Sequence, residues 1–133
     1  MMPPIVKSVV IFGLPGAFTP TCDVKHLPGF VDLAAEIKKK GVDTIACIAV
    51  NDVFVMNAWG KSGGVGDKIL MLADGNAEYV KALGLELDAT GYGMGIRGQR
   101  FAIVAKNGVA TQVNVEAPGE FKVSAADYVL KQL

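Results

Sequence analysis

Lys7-Ser8-Val9-Val10-Ile11-Phe12-Gly13-Leu14 runs directly into Pro15-Gly16-Ala17-Phe18-Thr19-Pro20-Thr21-Cys22. The first eight residues form a β-branched apolar run that Pro15-Gly16 closes, the pattern of a strand buried on both faces. Beyond the turn, a helical pattern from Thr21 to Lys40 carries Phe30, Leu33, Ala34 and Ile37 at i, i+3, i+4 and i+7, with Gly41 as its stop. Pro28-Gly29 is expected to break and kink this helix. Cys22 therefore falls between a strand and the positive end of a helix dipole, the setting in which cysteine thiols ionise most readily.

Working outward, Thr44 to Asn51 reads as a second buried strand, and Asn51-Asp52 caps a helix containing Phe54, Val55, Ala58 and Trp59. Lys68 to Ala73 is a third strand, after which Asp74 caps a short helix with Tyr79, Val80 and Leu83. Arg100 to Val115 reads as two strands joined at Lys106-Asn107-Gly108, and Ser124 to Leu133 as a closing helix. The order β-α-β-α-β-α-β-β-α implies an α/β fold of thioredoxin-like topology, a mixed central sheet flanked by helices.

The length of 133 residues and an apolar content of 51% suit one domain spanning 1–133 with one packed core. Thirteen basic residues balance thirteen acidic ones, with no run longer than Lys38-Lys39-Lys40, so no footprint for nucleic acid or anionic lipid is visible. The start, Met1-Met2-Pro3-Pro4-Ile5-Val6-Lys7, has neither the form of a signal peptide nor a membrane span, which makes the cytoplasm the default compartment. Cys22 and Cys47 in a reduced compartment suggest chemistry before stapling.

Several features have a plain alternative. His26 lies four residues after Cys22 and offers a base, but the structural reading of a lone histidine is preferred. Cys47, in the middle of the second strand, reads first as a buried core thiol and second as a conditional resolving cysteine that local unfolding would expose. Arg97 in Gly95-Ile96-Arg97-Gly98 competes with Arg100 for any anionic site. Gly63-Gly64-Val65-Gly66 and Gly91-Tyr92-Gly93-Met94-Gly95 lack the Lys-Ser/Thr ending of a phosphate loop and read as flexible loops. Trp59, Phe54 and Met56 read as packing, and no metal-ligand spacing appears.

Pro15-x-x-x-Thr19-x-x-Cys22, together with the surrounding Phe12 to Cys22 string and His26-Leu27-Pro28-Gly29-Phe30, resembles the active-site pattern of the type II, or peroxiredoxin-5, group of peroxiredoxins. The likeness continues through Ala49-Val50-Asn51-Asp52, Ala58-Trp59-Gly60, Ala73-Asp74-Gly75-Asn76, Leu83-Gly84-Leu85-Glu86, Arg100-Phe101 and Asn114-Val115-Glu116. It implies a thiol-dependent peroxidase acting on hydrogen peroxide and alkyl hydroperoxides, with Cys22 as peroxidatic nucleophile passing through a sulfenic acid.

The resemblance assigns Thr19 a hydrogen bond to the sulfur and to the incoming peroxide, Arg100 the stabilising charge, and Pro15 a wall of the pocket. Free amides of Thr21 and Cys22 at the helix start add donors. No cofactor is expected; the reductant is an external thiol, glutathione with glutaredoxin or, alternatively, thioredoxin. A homodimer packing around the active-site loops is implied, with Phe30 or residues near Trp59 in contact.

Two departures stand out. Only Met1 to Lys7 precede the first strand, where the group carries roughly a β-hairpin more, and neither Val123 nor Ser124 is the C-terminal resolving cysteine of some members. The first motivates an alternative, a non-catalytic redox-sensing or interaction module with a defective pocket. The second points to reduction from outside, since an unpaired sulfenate must be intercepted before further oxidation.

Overall fold

The computed structural model describes residues 8–133. Lys7 and the N-terminal expectations lie outside the described residues. The first strand, β1, spans Ser8–Gly13, and successive elements are helix α1 (Leu27–Lys39), β2 (Thr44–Ala49), α2 (Val53–Ser62), β3 (Leu70–Ala73), α3 (Glu78–Leu83), β4 (Glu86–Asp88), β5 (Ile96–Gly98), β6 (Phe101–Lys106), β7 (Val109–Val115) and α4 (Ala126–Gln132). The main sheet has the order β3-β2-β1-β6-β7. β1 runs parallel to β2, and β2 to β3, whereas β6 lies antiparallel to both β1 and β7. This is the mixed α/β, thioredoxin-like sheet expected.

Period-two alternation assigns side chains to two faces. Val10 and Phe12 of β1, Ile45 and Cys47 of β2 and Ala102 and Val104 of β6 join α1, α2 and α4 in the larger core. Ile48, Phe101 and Ile103 face the other way, onto Val80 of α3. In α1 the buried positions are Leu27, Phe30, Ala34 and Ile37, and the chain turns away beyond the Lys40 cap at Gly41, whose φ of 97° only glycine adopts readily. Asn107 (φ 54°) and Gly108 (φ 79°) are both left-handed, as a two-residue hairpin turn between β6 and β7 requires.

Some expectations need correction. The helix irregularity is not at Pro28-Gly29 but one turn earlier: Cys22–His26 is a π-turn in which the Leu27 N–H donates to the Cys22 carbonyl. Pro28 has no N–H for the Val24 carbonyl and its ring would crowd that oxygen, so the wider turn relieves the conflict upstream of the proline. The hairpin β4–β5, with a 3₁₀ turn at Thr90–Tyr92 between its strands, occupies the glycine-containing segment read as a loop. Of the three residues assigned to packing, Trp59 and Met56 are buried but Phe54 is 82% exposed. Phe30 is fully buried, its ring stacked on Phe12 at 4.0 Å, so it cannot serve as an intersubunit contact; Trp59 itself is enclosed, but Phe18, whose ring lies 6.3 Å from it, is exposed.

Candidate active site

The segment after β1 is held from three sides. A Cβ at Gly13 would overlap the Phe101 ring, so the chain passes β6 closely only as glycine. The Ala17 N–H donates to Asn51 Oδ1 at 2.9 Å, and Arg97 Nη1 donates to the Pro15 carbonyl at 3.2 Å while its Nε donates to the Met94 carbonyl at 3.1 Å. Phe18 turns the chain at φ 61°, and the Asp23 N–H then closes onto the Thr19 carbonyl at 2.8 Å. Thr21 and Cys22 consequently lie in the first turn, where amides have no preceding helical carbonyl. Asp23 is secured by Trp59, whose indole N–H donates to Oδ1 at 2.8 Å.

Cys22 is fully buried at this corner. Arg100, between β5 and β6, donates from Nη2 to Cys22 Sγ at 3.1 Å and from Nη1 to His26 Nδ1 at 2.8 Å. His26 is also fully buried, and its Nε2 is 3.0 Å from the Ser124 carbonyl. Burial, followed by the Arg100 charge, lowers the His26 pKa from 6.5 to about 3, so the ring is neutral. Phe121 faces both groups, its ring 5.1 Å from that of His26 and 5.7 Å from the Arg100 guanidinium carbon.

Glu116 supports the far side: one carboxylate oxygen accepts from the Lys122 N–H (2.7 Å), the Ser124 N–H (2.8 Å) and the Ser124 hydroxyl (2.7 Å). Burial opposes its charge, but the donors of Ser124, Lys122 and Val123 outweigh that and hold the carboxyl below its ordinary range.

The structure thus brings Arg100 to Cys22 and gives Arg97 a different task, bracing the loop at Pro15. Thr19 differs from expectation: its hydroxyl donates to the Gly16 carbonyl at 2.7 Å instead of to the sulfur, because that carbonyl lies three residues back in the same turn. Its lone pairs remain for an incoming donor. Pro15 lines a cleft of about 500 Å³ with Thr21, Leu87, Tyr92, Arg100, Pro118 and Phe121. Cys47 is free and buried in β2, beside Phe12 in the parallel register; burial, and secondarily Cys22, pushes its thiol up.

His26 does not serve as a base toward the sulfur, since Nδ1 already accepts from Arg100. Sequence reasoning missed Glu116, Ser124, Phe121 and Asn51 as parts of the site, since Ser124, Phe121 and Asn51 meet it through contacts between distant segments and Glu116 reaches it only through Ser124. Among the described residues, no group of three His, Cys, Asp or Glu side chains is arranged to hold a metal, and no helix is long and apolar enough to cross a membrane.

Residues 6–130 match the Redoxin family. Peroxiredoxin-2B of Arabidopsis thaliana is 53% identical over 127 residues, covering 96% of this chain and 78% of that protein. The reduced Prx3 of Vibrio vulnificus, solved in complex with H2O2, superposes with a TM-score of 0.92 at 55% identity, covering 96% of this chain and 82% of that one. Peroxiredoxin 5 from Alvinella pompejana has a TM-score of 0.84 at 37% identity, with coverage of 94% and 77%. A match across nearly the whole chain, at this identity and with this superposition, means that the chain belongs to the Redoxin family and, within it, to the peroxiredoxins, the thiol-dependent peroxidases.

Proposed function

We propose that Cys22 reduces hydrogen peroxide and alkyl hydroperoxides, and the observation that carries this reading is the 3.1 Å contact from Arg100 Nη2 to Sγ. The sulfur, as thiolate, attacks one peroxide oxygen; the S–O bond forms as the O–O bond breaks, and the second oxygen leaves as hydroxide or alkoxide, taking a proton to become water or alcohol. Two electrons pass from sulfur to peroxide, and Cys22 is left as a sulfenic acid. Ionisation of an ordinary thiol at pH 7 gains only about 30-fold, so fixed donors must supply most of the acceleration. Arg100 provides a charge that persists throughout, Thr19 an acceptor for the peroxide proton, and the amides of Thr21 and Cys22 further donors. The complex of the Vibrio vulnificus neighbour with H2O2 supports hydrogen peroxide as substrate.

Recycling follows from outside: glutathione condenses with the sulfenic acid, releasing water, and glutaredoxin exchanges the mixed disulfide; thioredoxin is the alternative donor. The burial of Cys47 supports a route that does not require it. The assembly proposed is a homodimer around the active-site loops, where Phe18 and Val24 are exposed, and the compartment proposed is the cytoplasm. Stopped-flow peroxide turnover with each donor, in the parent, Cys22→Ser and Cys47→Ser proteins, tests the scheme. Loss in the first variant and full activity in the second are expected; peroxide consumption surviving Cys22→Ser would overturn it. Intact mass after one equivalent of peroxide separates a sulfenate from an internal bridge, and light scattering measures the assembly.

A further inference from the structure

Arg100 has more donors than one sulfur can use, and the second arm is as well defined as the first. A guanidinium offers no lone pair, so at the 2.8 Å contact His26 Nδ1 must be the acceptor. The ring proton is then on Nε2, where it meets the Ser124 carbonyl at 3.0 Å. Rotation is blocked by Phe12, Phe30 and Phe121, whose ring centroids lie 5.0, 5.7 and 5.1 Å from that of His26. Ser124 is in turn fixed through its N–H and hydroxyl to Glu116 Oε2. A continuous line of contacts therefore runs from Glu116 through Ser124, His26 and Arg100 to the Cys22 sulfur.

A histidine that merely filled the core would need two polar partners of any kind. Here one partner is the cation at the sulfur, and the other selects the tautomer able to accept from it. Resting on the reading of Cys22 as the reacting sulfur, we propose that His26 is a positioning residue for peroxide reduction: Nδ1 holds one arm of Arg100 so that the other faces Sγ, while the Ser124 carbonyl fixes the required tautomer. Its nitrogens are both committed, so it transfers no proton in the step.

Two isosteric halves of the ring separate this role from simple tethering. His26→Asn keeps an acceptor near the Nδ1 position and loses the Ser124 donor; His26→Gln keeps a donor near Nε2 and loses the Arg100 acceptor. The second-order rate of Cys22 oxidation is expected to fall about 100-fold in His26→Gln, as for a catalytic group displaced by about 1 Å. It should fall no more than about 5-fold in His26→Asn, the scale of one ordinary hydrogen bond. Any result in which Asn does not retain more rate than Gln overturns the proposal.

Should either variant fail to fold, the unsubstituted protein supplies the answer, because His26 is its only histidine and its ring nitrogens are assigned without mutation. Nitrogen NMR at neutral pH should show Nε2 protonated and Nδ1 accepting; an Nδ1-protonated ring or an imidazolium overturns the proposal. Peroxide consumption by Cys22→Ser would defeat the parent reading instead, and is thus a separate failure.

Discussion

At the sulfur, two side chains divide the work by what each can no longer do. Arg100 cannot give up its proton, so in the proposed reaction its charge serves the attacking sulfur and the departing oxygen alike. Arg100→Met should slow Cys22 oxidation by about 10²–10³-fold, the loss typical of one preorganised donor, and Arg100→Lys should recover only part because an ammonium lacks the rigid planar fork whose two arms reach Sγ and His26. Stopped-flow traces that matched the parent in Arg100→Met would rule out the assigned role. Thr19 has committed its hydrogen to the Gly16 carbonyl and can only accept. Thr19→Ser should therefore stay within a few-fold of the parent, whereas isosteric Thr19→Val should fall by roughly 10-fold or more, the low side of what a lost oriented group costs; equal rates for Val and Ser would remove Thr19 from the step. The gathering of Cys22, Thr19 and Pro15 at one turn is legible in one short string because it is local, whereas the partner of the Thr19 hydroxyl is not. His26 is not, because its partners Arg100 and Ser124 lie 74 and 98 residues away and no spacing along the chain encodes them.

At the scale of elements, the π-turn at Cys22–His26 follows from the proline beyond it. Were residue 28 able to donate to the Val24 carbonyl, a regular α-helix could form, and removing the extra residue from the turn would rotate the preceding segment by about 100° and shift it about 1.5 Å. Pro28→Ala is accordingly expected to keep or raise the urea midpoint while reducing the Cys22 oxidation rate at least about 10-fold. A faster or unchanged rate with an intact fold would show that the turn does not set the sulfur's position. Long elements were legible from periodicity: α1 has a clear apolar stripe, and the Asn107-Gly108 turn announces its hairpin. β4 and β5 were not, since three residues each are too few for alternation to register, and glycines at 91, 93 and 95 mask the pairing around them.

For the molecule as a whole, the succession of elements and a mixed sheet flanked by helices were readable because buried strands and amphipathic helices alternate, but the ties that close the site run between elements that packing alone brings together. The buried His26 makes one such tie measurable as stability. Its folded pKa of about 3 lies below the 6.5 of an exposed histidine, so between those values the unfolded chain binds a proton that the folded chain refuses. Stability is therefore fully present above pH ~6.5 and is lost as pH falls toward about 3, with a loss of about 1 kcal/mol expected between pH 6 and 5. Glu116, whose folded pKa is also lowered, acts with the same sign but mainly below the ordinary carboxyl range near pH 4.5, so it leaves the upper window to histidine. As the chain has one histidine, urea midpoints at pH 6.5, 6, 5.5 and 5 report His26 directly. The slope should vanish in His26→Asn, which has nothing to titrate there; a flat parent profile, or a slope that survives the substitution, would show that His26 is not held neutral against Arg100.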